Sequence, residues 1–280
     1  MKKTLIRFDW AMKRLLRQKS NFVILEGFLS ELLKENIEIE QILESESNQE
    51  DVEDKFNRVD ILAQNAKKEL VIIELQNSKQ ADYFQRMLYG VSKVTTEHLK
   101  LGEPYSNIKK VYSINIVYFD LGQGKDYVYQ GKTEFLGIHN GDKLDLSSKQ
   151  KEMFEKDELY QLFPEYYVLK VNNFNDIAKD SLDEWIYYLK NSEVLVNSKA
   201  KGLKEVAEHL HLQDLSEEDK LDYLRHIDNE RLANSSLDTA RMEGERNQAI
   251  STAKKMKEKG FDNETILDLT GLSLSDIEDL

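Results

Sequence analysis

Apolar residues repeat at helical spacing near the start of the chain. They recur every three or four positions over residues 8–34, and a polar break at Ser20 and Asn21 predicts two helices, since either residue can cap the second one. Apolar positions at 37, 39, 42 and 43 then predict a strand that leads into an acidic loop at 44–54. The chain is therefore expected to begin with two helices and a strand.

Apolar runs bounded by turn residues predict most of the remaining sheet. Residues 56–65 and 69–77 are two predicted strands joined by a short turn. Helical spacing over residues 80–100 predicts one long helix. Later strands are expected at VYSINIVYF, KTEFLGIH and YYVLKV, and a helix is expected at LDEWIYYLK.

This order of elements predicts an α/β domain over residues 1–195 and an all-helical region over residues 196–280. The last region is expected to end in a helical hairpin, with Ser273 or Ser275 capping the final helix. The hairpin resembles a helix-turn-helix, but residues 261–280 contain six acidic residues and no Lys or Arg. Such a helix would be repelled by DNA, so the hairpin is interpreted as a packing or protein-interaction element.

Composition excludes several classes of protein. The 280 residues include no cysteine, which excludes disulfides, thiolate zinc sites and a cysteine nucleophile. No apolar run approaches the ~18 residues of a membrane span, and charged residues interrupt the first segment, so a cytoplasmic protein is expected. The chain has no GxGxxG or phosphate-loop motif, which argues against a nucleotide cofactor.

The net charge is only weak evidence against nucleic-acid binding. The formal charge of -13 would repel phosphate if it were spread evenly over the surface. However, residues 1–30 carry seven basic side chains against two acidic ones, and residues 31–54 carry ten acidic side chains against one lysine. The basic cluster, which includes Lys13 and Arg17, is expected either to contact phosphate or to offset the acidic segment.

Two acids are predicted to face each other on the hairpin. Pairing its strands symmetrically about Lys67 makes one face wholly apolar and sets Asp60 across from Glu74 on the other face. Like charges at such positions are destabilising, and a divalent cation such as Mg²⁺ would offset them with carboxylate oxygens as ligands. Gln76 projects to the same side and could orient a water or a phosphate. From spacing alone, an acid that faces solvent or pairs with Arg58 or Lys79 explains the pattern equally well.

A stripe of basic residues follows the hairpin. Lys79, Arg86, Lys93 and Lys100 recur every seven positions, and on one helix that spacing keeps all four on one side. A DNA backbone running from the acids along this stripe is one interpretation, and a solvated charged face is the other.

The run VDILAQNAKKELVIIELQ resembles the D…ExK core of PD-(D/E)XK nucleases. More closely, the chain is similar to the Rpn family of recombination-promoting nucleases and transposases. The segments that carry this resemblance are FDWAMKRLLRQKSNFVILEGFLSELL, DKFNRVDILAQN, IIELQ, YFQRMLYGVSK and KKVYSINIVYFDLGQGKDYVY.

The resemblance implies a restriction-endonuclease-like core, a mixed sheet flanked by helices. Carried over by position, Asp60 and Glu74 fall on the two metal-binding acids, and Gln76 falls on the motif lysine, as in the Rpn branch. Glu26, on the second predicted helix, is a candidate auxiliary acid. Because glutamine cannot neutralise charge, another cation is expected to do so, with Arg58, Lys79 and Arg86 as candidates.

The implied function is a Mg²⁺-dependent DNA endonuclease, with Mn²⁺ as a substitute, acting in recombination or in mobile elements. DNA is the expected partner, and a homodimer is expected because cutting both strands usually takes two sites. The alternative is a catalytically degenerate nuclease fold that binds DNA or a protein partner, which the missing lysine and the acidic composition favour.

Overall fold

The computed structural model describes residues 4–43 and 60–280. The chain forms two compact units, Met1–Asp214 and Leu215–Leu280. The predicted acidic loop at 44–54 and Arg58 lie outside the described residues.

The first unit is an α/β fold. Its described strands are β1 (Ile39–Leu43), β2 (Ile61–Asn65), β3 (Leu70–Gln76), β4 (Val111–Val117), β5 (Val128–Gly131) and β6 (Glu165–Lys170). Its described helices are α1 (Phe8–Arg14), α2 (Phe22–Leu33), α3 (Tyr83–Glu97), α4 (Ser148–Phe154), α5 (Ser181–Asn191) and α6 (Leu203–His209). Short 3₁₀ turns occur at Lys19–Asn21, Tyr105–Asn107, Leu159–Leu162, Val171–Asn173 and Leu212–Asp214.

The strands form one mixed sheet in the order β1-β2-β3-β4-β6-β5. The hairpin β2–β3 is antiparallel, as are β1–β2 and β5–β6, whereas β3, β4 and β6 run parallel. The carboxyl ends of the three parallel strands therefore meet at one edge of the sheet. In open α/β sheets this edge is where ligands usually bind.

The hairpin has the register that the sequence predicts, with Ile61 opposite Ile73 and Ala63 opposite Val71. These odd-numbered positions are buried. The even-numbered face is also buried, because Leu62 and Ile72 pack with side chains of α3. Asp60 and Glu74 share this even face, at the end of the hairpin where the apolar packing stops.

The N-terminal predictions hold well. The break at Ser20–Asn21 is the 3₁₀ turn between α1 and α2, and the strand predicted after it is β1. A ring cluster of Phe8, Phe28, Trp185 and Tyr188 joins α1, α2 and α5. The helical periodicity of these segments therefore arises because each helix turns its apolar side chains toward one shared core.

One predicted strand is absent, and one predicted helix is present with shorter bounds. KTEFLGIH is not a strand, because its backbone makes one isolated bridge between Leu136 and Lys143, and Ile138 is 96% exposed with no sheet to cover it. The neighbouring β5 (Val128–Gly131) pairs with β6 instead. The long helix predicted over 80–100 is α3 alone, Tyr83–Glu97.

The first unit extends beyond the predicted boundary at 195. The indole Nε1 of Trp185 on α5 donates to the carbonyl of Lys201 at 2.9 Å. A Cβ on Gly27 of α2 would lie 2.4 Å from that same carbonyl oxygen, so the backbones are in close contact. The segment that leads into α6 is thus packed on the α/β core.

The second unit is helical, with α7 (Glu217–Glu258), α8 (Asn263–Thr270) and α9 (Leu274–Glu278). Ala253, Ile266, Leu272 and Ile277 form its core. The predicted capping by Ser273 is confirmed, since its side chain accepts a hydrogen bond from the Asp276 N–H. Among the described helices, none combines the length and apolar character needed to cross a bilayer.

Candidate active site

Asp60 and Glu74 come together at the end of the hairpin, on the sheet edge formed by the carboxyl ends of the parallel strands. Asp60 directly precedes β2, and continuing the observed register beyond Ile61 and Ile73 places it opposite Glu74. Residues opposed in this way lie roughly 4.5–5.5 Å apart at Cβ. The two carboxyl groups can therefore share one ligand.

Asp60 is fixed by its neighbours on three sides. Its Oδ2 accepts a hydrogen bond from the Leu75 N–H at 2.8 Å, and the Nζ of Lys13 lies 3.8 Å from its Oδ1. The guanidinium of Arg17 donates to the carbonyl oxygen of Asp60. The side chain is 22% exposed, so Oδ1 faces a partly open site with only a distant cation near it.

Glu74 is buried and poorly partnered. Its side chain is only 6% exposed, and its Oε2 lies 3.3 Å from the Nε of Arg86. Neither of these two atoms makes a hydrogen bond to any described residue, so the pair is close but misaligned. Burial raises the pKa of Glu74. The positive charge of Arg86 lowers this pKa in part, and the negative charge of Asp60 raises it further. An ionised Glu74 would gain strongly from a cation at Oε2.

Gln76 lies two residues after Glu74, on the same face of β3. It is partly exposed, and its Nε2 donates to the Ser78 carbonyl at 3.2 Å. A side-chain amide at this place can orient a water or a phosphate oxygen, but it carries no charge.

A buried polar pair that the sequence analysis missed, formed by Tyr83 of α3 and Asn115 of β4, lies next to Glu74 in the sheet. Tyr83, fully buried, donates from its hydroxyl to Asn115 Oδ1 at 3.3 Å, and Asn115 is the β4 residue in register with Glu74. Burial raises the pKa of Tyr83, and the charge of Glu74 raises it further. An asparagine inside the apolar run VYSINIVYF was the available signal for this pair.

The four-residue basic stripe is not formed as predicted. Because α3 spans only Tyr83–Glu97, Lys79 precedes it and Lys100 follows it. Arg86 approaches Glu74, and Lys93 pairs with Glu97 at 3.7 Å with its side chain only 19% exposed. Lys79 and Lys100 are exposed. DNA contact by these residues stays a prediction, but they do not share one helical face.

Glu26 is not placed beside the two acids, which corrects its prediction as an auxiliary acid. Its Oε1 accepts a hydrogen bond from the Ile39 N–H at 2.8 Å, where β1 begins. Ile39 pairs with Asn65, five residues along β2 from Asp60. At ~3.3 Å per residue that is about 16 Å from the site. Glu26 fastens α2 to the sheet.

Comparison with protein families matches residues 6–257 to the family described as PD-(D/E)XK nuclease family transposase. The chain belongs to this family. Comparisons with curated proteins and with solved structures found no match. The family assignment confirms the resemblance to PD-(D/E)XK nucleases, and the six-stranded mixed sheet with flanking helices confirms the predicted fold class.

The geometry fits the divalent metal that PD-(D/E)XK nucleases generally use. Asp60 and Glu74 provide adjacent carboxylate oxygens, the ligand type that Mg²⁺ prefers. The Oε2 of Glu74 is buried and lacks a hydrogen bond within the described residues, so a ligand position exists that the protein leaves unsatisfied. The roles of Asp60, Glu74 and Gln76 themselves remain predictions.

The resemblance predicts that Gln76 occupies the position of the motif lysine, so another positive charge is expected near the acids. Lys170 lies on the same sheet edge, in register with Val117, which is in register with Gln76. Its side chain is 2% exposed and pairs with Asp120 at 2.7 Å. This buried lysine is therefore already paired with Asp120, and its strand, β6, lies two strands away from that of Gln76.

Proposed function

We propose that the protein is a metal-dependent DNA endonuclease that acts in recombination or in the movement of mobile elements. Membership of the PD-(D/E)XK nuclease family transposases supports the reaction class. The observation that carries the proposal is the buried, unsatisfied Oε2 of Glu74 beside Asp60, at the carboxyl edge of the parallel strands.

In this proposal Asp60 and Glu74 hold the metal, and Gln76 orients the attacking water or a phosphate oxygen. The metal, Mg²⁺ or Mn²⁺, would supply Lewis-acid activation of the water and offset charge on the phosphodiester. The Leu75 N–H holds Asp60 in place through Oδ2, which leaves Oδ1 for the ligand. Asn115, in register with Glu74 on the neighbouring strand, is itself held by a buried hydrogen bond from Tyr83.

DNA would reach the acids along an edge that carries exposed cations. Lys13, whose side chain is 49% exposed, lies beside Asp60, and the exposed Lys79 follows Gln76 by three residues. Such contacts position the phosphate backbone without reading sequence. Cleavage of both strands would take two such sites, so we expect two copies of the chain to act together.

Plasmid cleavage tests the proposal. Purified protein is incubated with supercoiled plasmid and Mg²⁺ or Mn²⁺, with EDTA as one control. An Asp60→Asn/Glu74→Gln variant is expected to lose metal-dependent nicking. The matched control, Asp268→Asn/Glu264→Gln, changes two exposed acids on α8 and is expected to cleave like wild type.

Wild-type protein that binds plasmid but does not cleave it under any metal would contradict the proposal. That outcome would favour a degenerate nuclease fold that binds DNA, for which the glutamine at position 76 is the supporting observation. Protein that binds no DNA at all would favour a protein-binding role.

A further inference from the structure

The proposed site has two acids and no lysine at the motif position, so it needs a cation from elsewhere in the fold. Lys170 is buried and held by Asp120 at 2.7 Å. Lys13 lies 3.8 Å from Asp60 and is half exposed, and Lys79 is exposed in the loop before α3. None of these three side chains lies against Glu74 in the described structure as Arg86 does.

Arg86 is placed at the site by the first turn of α3. Its Nε lies 3.3 Å from Glu74 Oε2 without forming a hydrogen bond, and its Nη1 makes one long hydrogen bond, 3.4 Å, to Gln80 Oε1. An arginine that served only to anchor a carboxylate would be expected to use its paired N–H groups in the bidentate arrangement. Here the guanidinium is near its acid but not locked to it.

A divalent cation and Arg86 would compete for the same carboxylate oxygen. Metal bound at Oε2 of Glu74 removes the charge that attracts Arg86 and places a larger positive charge beside it. The Arg86 side chain as a whole is 31% exposed, although its Nε is buried, so the side chain has an open direction in which to move. A phosphate group of bound DNA would then be the nearest negative group for Arg86. Its oxygens match the planar arrangement of donors on the guanidinium.

We infer that Arg86 is the catalytic cation that stands in for the motif lysine: it rests against Glu74 without metal and binds the scissile phosphate when Glu74 takes up metal. This role rests on the proposed nuclease function. The guanidinium donates hydrogen bonds to the phosphate oxygens as negative charge builds up on them, and it transfers no proton.

Two measurements on the same variants test the role. Arg86→Met is the main variant, Arg86→Lys restores the charge, and Arg86→Gln replaces Met if the Met protein loses the wild-type circular dichroism spectrum. Arg231→Met is the matched control, because it removes an exposed arginine that pairs with Asp228 on α7. Mn²⁺ affinity is measured by titration calorimetry without DNA, and kcat and KM are measured on plasmid.

With the competing cation removed, Arg86→Met is expected to bind Mn²⁺ roughly three- to fivefold more tightly than wild type, the effect of losing one weak ion pair. Its kcat is expected to fall about 100-fold or more, as when a transition-state hydrogen-bond donor is removed, with a smaller change in KM. Arg86→Lys should recover part of kcat. Arg231→Met should match wild type in both measurements.

Weaker Mn²⁺ binding by Arg86→Met would show that Arg86 merely supports Glu74, and this would overturn the inference. Unchanged kcat in a folded neutral variant would overturn it as well. Both results leave the nuclease function standing if wild type cleaves. Wild-type protein that fails to cleave would overturn the nuclease function and, with it, the role of Arg86.

Discussion

At the scale of single residues, the site brings carboxylates together with little compensation. Glu74 is removed from water, and its only close cation, within the described residues, is a misaligned arginine. Burying a charge without good partners is costly, so such groups are found where a ligand completes them. The raised pKa of Glu74 expresses the same imbalance.

The ion pair between Asp120 and Lys170 allows a residue-scale prediction about pH. Asp120→Asn should destabilise the protein at neutral pH, because it takes the negative partner away from a lysine whose side chain is 2% exposed. The hydrogen bond from Lys170, together with its charge, lowers the pKa of Asp120 below 3.8. The stabilisation is therefore present above pH 3.8 and is lost as pH falls through the lowered native pKa.

Urea unfolding midpoints of wild type and Asp120→Asn at several pH values measure this effect. Their difference should stay constant from about pH 8 to about pH 5 and shrink below the ordinary carboxyl pKa. Asp157→Asn, an exposed acid in the same unit, is the control and should follow wild type throughout. A difference that persists undiminished in acid would mean that Asp120 stabilises the fold by some other contact.

At the scale of elements, the hairpin and α3 each contribute residues to the site. The hairpin sets the two acids opposite each other. Helix α3 brings Arg86 against Glu74 and Tyr83 into a hydrogen bond with Asn115. The shorter extent of α3 matters here. Lys79 lies in the loop between β3 and α3, and Lys100 lies beyond the other end of α3, so the two lysines are at opposite ends of the helix.

Gly27 and Gly244 give an element-scale prediction, since both are glycines within helices. Alanine at Gly27 would place a Cβ 2.4 Å from the Lys201 carbonyl oxygen, so α2 or the loop must shift. We expect Gly27→Ala to lower the free energy of unfolding of the first unit by about 1–3 kcal/mol despite the better helix propensity.

Gly244→Ala is the matched control, because a Cβ there meets nothing within 4 Å. It should raise helix stability by about 0.5–1 kcal/mol. Both changes are followed by circular dichroism at increasing urea. Equal behaviour of the two variants would show that α2 and the Lys201 loop are not in close contact.

At the scale of the whole molecule, the net charge of -13 opposes DNA binding, whereas the proposed site is bordered by cations. Affinity for a phosphate backbone depends on the local basic residues that release counterions, not on the average charge. An acidic protein can therefore bind DNA through a limited edge, with strong dependence on salt.

Salt dependence tests which lysines contact DNA. If Lys79 and Lys100 each bind one phosphate, Lys79→Glu and Lys100→Glu should weaken binding and each reduce the slope of log affinity against log salt by about 1. Binding is measured by fluorescence anisotropy with Ca²⁺ in place of Mg²⁺. Lys204→Glu, an exposed lysine of α6, is the control. A slope that matches the control would remove that lysine from the DNA interface.

Much of this architecture can be predicted from the amino-acid sequence alone. Helical periodicity located α1 and α2. Symmetric pairing of the hairpin about Lys67 predicted the partner of Asp60, because a slip by one residue would pair the wholly apolar face with the face that carries the acids. The resemblance to the family motif predicted the roles of the two acids and the absence of the motif lysine, and these stay predictions. These features depend on short-range spacing, which the sequence displays directly.

The placement of groups from distant segments depended on tertiary packing. Glu26 and Arg86 were both candidates for the site, yet α2 carries the first to the start of β1 and α3 carries the second to Glu74. The Asn115–Tyr83 pair and the packing of the 201–202 loop on α2 likewise join segments far apart in the chain. Helix ends and crossing positions follow from how whole surfaces fit together, and no local pattern of residues encodes that fit.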